Sequence, residues 1–152
     1  MKGVVAYYSR WGNCKRVAKS VARGLEESGH EVTLADVGSL EALGGEPDFI
    51  VAGSPTRAGK MTGKMKRFIK RAIPGSWDGK PFAAFGTGLQ SALEKSEPNA
   101  ADGIYMALVA KGLRPIAPAF KAGVAGMKGP LVDGEPERAL EFGKEVGAAL
   151  GG

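Results

Sequence analysis

The chain of 152 residues carries one cysteine, Cys14, and one histidine, His30. A single thiol closes no internal disulfide, and so sparse a set of soft ligands gives no metal cluster. No apolar run approaches the roughly 20 residues that cross a bilayer as a helix, so no membrane partner is expected. The first residues enter a strand-like run at once, without the charged, apolar and small-residue regions of a secretory signal. These absences point to a soluble cytoplasmic protein. Helix-turn-helix, zinc-finger and aromatic RNA-binding patterns are missing as well, so no nucleic acid is expected as a partner. The 24 glycines show no G-X-Y period and mark tight turns instead.

What is present is a globular composition with a net charge of +5, unevenly placed. Residues 1–23 contain Lys2, Arg10, Lys15, Arg16, Lys19 and Arg23 and no acid; residues 49–77 contain Arg57, Lys60, Lys64, Lys66, Arg67, Lys70 and Arg71 and no acid. Such runs are either solvated helix faces or a surface that attracts an acidic protein or a phosphorylated ligand.

The hydrophobic pattern alternates strand and helix over one domain, 1–152. "GVVAYY" (3–8), "EVTLADV" (31–37), "DFIVAGS" (48–54), "PFAAFG" (81–86) and "RPIAPAF" (114–120) read as five strands, and the prolines of the last suggest an edge. Val17, Ala18, Val21, Ala22 and Leu25 form the apolar stripe of a helix over 13–28. Met61, Met65, Phe68, Ile69 and Ala72 form a second, a third lies within 91–112, and a last runs from Glu135 to Leu150, opened by Asp133 and Pro136. Residues 121–134 read as a surface loop. The pattern predicts a doubly wound α/β fold, a five-stranded parallel sheet of order 2-1-3-4-5 with helices on both faces. Ligands of such a sheet bind beyond the carboxyl ends of the strands, which selects the turns at 9–14, 54–60 and 86–91.

Missing residues exclude several chemistries there. The first turn has only Gly12 of a G-x-G-x-x-G dinucleotide fingerprint, and no Walker sequence occurs. Five residues beyond Cys14 stands Ser20, where a Cys-x₅-Arg phosphatase needs arginine. Receiver-type carboxylates are replaced by Tyr8-Ser9 and Gly53-Ser54. His30 opens the second strand at the opposite end of the sheet, which removes a hydrolase triad and reads as a surface turn residue. What the first turn offers is a hydroxyl (Ser9), an amide (Asn13), a glycine (Gly12) and the free N–H groups of a helix start, a set suited to phosphate.

With these turns in order, the chain resembles the flavodoxin-like family of FMN-binding proteins. "SRWGNC" stands where that family carries its phosphate loop, commonly [ST]-x-T-G-[NST]-T, although the Trp and Cys depart from it. A Trp at that point is similar to the flavodoxin module of flavo-diiron proteins. "GSPTRAGKM" resembles the family's second loop and that of flavodoxin-like quinone reductases, and "AAFGTGLQ" resembles the third. The resemblance implies FMN as cofactor. Its phosphate would lie on Ser9, Arg10, Trp11, Gly12, Asn13 and Cys14, and its ring along Pro55, Thr56, Arg57, Ala58 and Gly59. Gly86, Thr87, Gly88, Leu89 and Gln90 would lie on the pyrimidine side. The peptide joining Ala58 to Gly59 would reorient toward flavin N5.

The aromatic pair that encloses the ring in many flavodoxins is missing from these loops. Trp11 either reaches the cofactor or packs elsewhere. Arg57 either sits near the ring, favouring an anionic reduced flavin, or is solvated. Cys14 is either a reactive thiol at a helix start or a stand-in for threonine that acts through its backbone N–H. Three functions follow from the resemblance. The first is an electron carrier between redox proteins, its partners acidic to match the basic surface. The second is an NAD(P)H:quinone oxidoreductase, and the third a non-catalytic binding module of the same fold.

Overall fold

A computed structural model describes residues 1–39, 43 and 45–151. The apolar runs become central strands because helices cover them on both sides. In β1 (Lys2–Tyr7) five of six residues are buried, and in β3 (Phe49–Pro55) everything but Pro55 is. The remaining elements are α1 (Asn13–Glu27), β2 (Glu31–Asp36), α2 (Gly63–Ala72), a short 3-10 turn (Gly75–Trp77), β4 (Pro81–Leu89), α3 (Gln90–Glu94), α4 (Ala100–Ala110), β5 (Arg114–Pro115), β6 (Phe120–Val124) and α5 (Glu135–Leu150). All strand pairs among the named strands are parallel, and the order is β2-β1-β3-β4 with both β5 and β6 on the free side of β4.

One face of the sheet is covered by α1 and α5. Val17, Val21, Leu25, Phe142 and Val146 pack there on Val5, Val51 and Phe85. The other face is covered by α2 and α4, where Met65, Phe68, Ile69, Ile104 and Leu108 meet Ile50, Ala52 and Phe82. Phe49, Phe82 and Phe85 are the largest fully buried side chains. Truncating any one to alanine would cost about 3–5 kcal/mol, the range for an aromatic removed from a close-packed core.

Four sequence expectations are corrected. The fourth strand runs to Leu89 rather than ending at residue 86, because Phe85 to Leu89 find a partner in Phe120 to Val124. The fifth strand splits into β5 and β6, since Pro115 and Pro118 carry no N–H for a continuous ladder, and residues 121–124 of the expected loop are strand. Asp133 does not cap α5: the helix starts from Gly134, which has a left-handed φ of 90° and no capping side chain. His30 is not a surface residue. It is 6% exposed, its Nε2 is 3.0 Å from the Gly147 carbonyl oxygen, and its Nδ1 is 3.3 Å from the N-terminal nitrogen. The end of α5 and the start of the chain both close over it. No helix among the described residues is long and apolar enough to cross a membrane.

Candidate functional site

The parallel order brings the first three βα turns to one edge, at the carboxyl ends of β1, β3 and β4. In the first turn Gly12 adopts φ 92°, a left-handed conformation that L side chains resist, and turns the chain into α1. Ser9 Oγ accepts from the N–H of Gly12 at 3.1 Å and from that of Lys15 at 3.2 Å. Its own hydroxyl proton is left to donate. Among the described residues no acceptor meets the N–H of Asn13 or Cys14, and Gly12 supplies no capping side chain. A Cβ on Gly12 would meet nothing within 4 Å, so its side of the turn is open. Unpartnered N–H groups at a helix start, a hydroxyl donor and no acid in residues 1–23 together fit a phosphate group.

The side chains of this turn divide. Cys14 points into the α1–α5 core and is 2% exposed, and burial pushes its thiol pKa far above the ordinary range. The reactive-thiol reading is therefore overturned: desolvation of the thiolate outweighs the helix start and the neighbouring Lys15 and Arg16. Asn13 Nδ2 donates one of its two hydrogens to the Lys128 carbonyl at 3.1 Å. Trp11 is 45% exposed and carries a cation on each of two contacts, Arg10 Cζ at 5.1 Å and Lys128 Nζ at 4.9 Å from its ring centroid.

The second turn is held from both ends. Buried Ser54 accepts from the Thr62 N–H at 3.0 Å, donates to the Pro55 carbonyl at 2.9 Å and lies 3.2 Å from the Thr62 hydroxyl. Thr62 in turn caps α2 through the N–H of Met65. Thr56 donates its N–H to the Thr87 carbonyl at 2.8 Å and accepts the Ala100 N–H on Oγ1 at 2.9 Å, fixing this turn to β4 and α4. Between these anchors Arg57 and Lys60 exchange both backbone hydrogen bonds at 2.8 and 2.9 Å, with φ of 48° at Ala58 and 78° at Gly59. This is a two-residue turn with positive φ at both central positions. Rotating the 58–59 peptide alone would need the glycine-favoured conformation at Ala58, so the expected reorientation is opposed by that methyl group.

The third loop is largely strand. Gly86, Thr87 and Gly88 lie buried in β4, Leu89 ends it exposed at the edge, and Gln90 begins α3. A Cβ at Gly88 would stand 2.9 Å from Asn99 Nδ2, and one at Gly86 would collide with the same side chain. Asn99 caps α4 by accepting the Ala101 N–H at 2.9 Å. These two glycines thus make room for a helix cap, a role hidden in sequence by the distance between them and residue 99. The sequence pattern also misses the segment after β6: expected as a surface loop, it reaches the first turn through Lys128 and Gly129.

A family model described as a flavodoxin domain matches residues 4–120. The chain belongs to the flavodoxin-domain family, and FMN is its cofactor. A curated NAD(P)H dehydrogenase (quinone) from Geotalea uraniireducens is 34% identical, over 51% of this chain and 50% of its own length. The chain spans about half the length of the curated relatives it matches. Among solved structures, a flavodoxin from Pseudomonas aeruginosa superimposes with a TM-score of 0.78 at 19% identity, covering 100% of both chains. Rubredoxin:oxygen oxidoreductase from Desulfovibrio gigas superimposes with a TM-score of 0.77 at 16% identity, covering 99% of this chain and 37% of that one. At such identity the two structures share the fold.

Proposed function

We propose that the chain is a cytoplasmic FMN-dependent electron carrier, a single domain that exchanges electrons with acidic redox proteins. The observation that carries this reading is the open helix start after Gly12, with the unpartnered N–H groups of Asn13 and Cys14, on the same sheet edge as the Thr56–Lys60 turn. The phosphate would be held by the Ser9 hydroxyl and the N–H groups of the first turn. Pro55, Thr56, Arg57, Ala58 and Gly59 would lie along the ring, with Leu89 and Gln90 closing the third side over Gly86–Gly88. Bound FMN supplies one- and two-electron redox chemistry. The chain's own part is to fix the ring and to set the charge around it, with Arg57 favouring a negatively charged reduced state.

The proposed partner follows from charge. Arg57, Lys60, Lys64, Lys66, Arg67, Lys70 and Arg71 surround and extend the second turn, and none forms an ion pair among the described residues. Unneutralised cations beside an electron-transfer edge steer an acidic protein toward it.

A second reading, direct oxidation of NAD(P)H with transfer to quinone, is supported by the name of the curated relatives and by the similarity of the second turn to that of flavodoxin-like quinone reductases. One experiment separates the readings. FMN is added to the purified protein and the visible spectrum recorded, then NADPH is supplied with and without a quinone. Flavin bands without NADPH oxidation support the carrier, and rapid quinone-dependent turnover supports the reductase. No flavin uptake at micromolar concentration would refute both.

A further inference from the structure

The segment after β6 forms a strap whose base is fixed in the core and whose tip rests on the phosphate turn. At the base Leu131 is buried and pairs with Val124, Val132 N–H donates to the Gly123 carbonyl at 2.9 Å, and Ala125 N–H donates to the Pro130 carbonyl at 2.9 Å. The tip is closed by the Gly129 N–H on the Gly126 carbonyl at 2.9 Å. It meets α1 at Asn13, whose Nδ2 donates to the Lys128 carbonyl at 3.1 Å. Gly129 has φ 102°, and a Cβ there would stand 2.6 Å from Asn13 Oδ1, so only glycine lets the strap come this close.

Two consequences for an anion at the helix start follow. One hydrogen of the Asn13 amide, a natural donor for that anion, is taken by the strap. In exchange the strap brings Lys128, whose Nζ lies 4.9 Å from the Trp11 centroid, while Arg10 Cζ lies 5.1 Å from the same centroid. Neither cation forms an ion pair with a carboxylate among the described residues. Two like charges gathered on one exposed ring repel each other, and an anion beside them relieves that repulsion. A backbone cradle alone presents only partial charges to its ligand; a gathered pair of cations distinguishes a dianion from a neutral group.

We propose, resting on the FMN reading above, that Lys128 is a specificity-determining residue. With Arg10, and placed by Trp11, it selects the dianionic phosphate of FMN over the same flavin without phosphate. The test is an equilibrium titration of the full chain, freed of flavin, with FMN and separately with riboflavin, read by quenching of flavin fluorescence. Wild type is compared with Lys128→Gln, Lys128→Arg and Trp11→Leu. Lys128→Gln should weaken FMN binding about tenfold, the order expected for one charge-assisted contact, and leave riboflavin within about twofold. It should also reduce the salt dependence of FMN binding. Lys128→Arg should retain selectivity, and Trp11→Leu should lose part of it because the cations lose their platform. Unchanged riboflavin binding in Lys128→Gln shows that the variant is folded with its ring site intact. An unaltered FMN affinity in Lys128→Gln, or equal losses for FMN and riboflavin, would overturn the assignment. Failure of the wild type to bind either flavin would instead overturn the FMN reading beneath it.

Discussion

Cys14 places a thiol at the second residue of a helix, beside two cations, and the structure nevertheless holds it neutral. The sulfur sits in the α1–α5 core at 2% exposure, and burial raises its pKa from an ordinary value near 9.0. An acid whose folded pKa is raised binds more protons in the native state than in the unfolded one once pH passes the unfolded pKa. Stability is therefore fully present below about pH 9 and is lost as pH rises, at a slope of about 1.4 kcal/mol per pH unit. Replacing Cys14 with alanine removes this term and also removes one buried heavy atom, at a cost of about 1 kcal/mol. Wild type should thus be the more stable protein at pH 8 by about that amount, and the two stability curves should cross near pH 10. Tyr7, whose pKa is raised by burial and then by Asp36 and Cys14, titrates in both proteins and largely cancels in the difference. Urea denaturation at half-unit steps from pH 8 to 11 measures both curves. In parallel, iodoacetamide at pH 8 should leave the native thiol unlabelled and modify it in urea. Curves that stay parallel over this range, or native labelling at the rate of a free thiol, would refute the buried neutral thiol.

Four further outcomes test the site and its supports. Ser54→Ala strips the buried partner from the Thr62 N–H and hydroxyl, and should destabilise the protein by about 1–3 kcal/mol in urea; a change below 0.5 kcal/mol (about the noise of a surface substitution) would show that the second turn does not depend on it. Gly129→Ala forces alanine into φ 102° against Asn13, at about 1–2 kcal/mol for the conformation alone, and a thermal midpoint that does not fall would contradict the close strap. Arg57→Gln should lower the two-electron potential of bound flavin by about 10 mV, the worth of one solvated charge at about 0.5 kcal/mol; dye-equilibrated titration reads it, and an upward shift would be the wrong sign. Joint replacement of Lys64, Arg67 and Arg71, which share a face of α2, by glutamine should slow reduction of an acidic iron–sulfur protein at low salt and flatten its salt dependence; an unchanged rate would place docking elsewhere.

Most of the scaffold could be read from local pattern because local pattern is what builds it. The stripe from Val17 to Leu25 and the run from Phe49 to Ser54 each satisfy one periodicity, and both become the buried elements they describe. Gly-Ser-Pro-Thr at 53–56 was equally legible, since its serine and threonine bond within a few residues or to an adjacent strand. The errors fall where a distant segment decides. Gly86 and Gly88 look like turn residues, yet they continue β4 because β6 pairs with it and Asn99 needs the space. His30 looks like a polar turn residue, yet a carbonyl 117 positions away and the N-terminus enclose it. Asn13 looks free to turn its side chain either way, yet a carbonyl 115 positions away takes one of its amide hydrogens.

That last displacement explains how the basic character of the chain is organised. In sequence the cations of residues 1–23 and of residues 49–77 form two similar acid-free runs. In the fold they separate by surroundings. Arg10 is drawn with Lys128 onto Trp11 at the first turn, whereas Arg67 and Arg71 line the solvent side of α2 without ion pairs among the described residues. A cluster fixed on a ring beside an anion cradle acts at short range, and salt attenuates it less. A stripe of solvated charges acts beyond about 8 Å, where physiological salt screens it strongly. Flavin affinity and partner docking should therefore respond to ionic strength by different slopes, with the docking rate the steeper of the two. Equal slopes would mean that the two clusters work as one field and that neither has the separate role its position suggests.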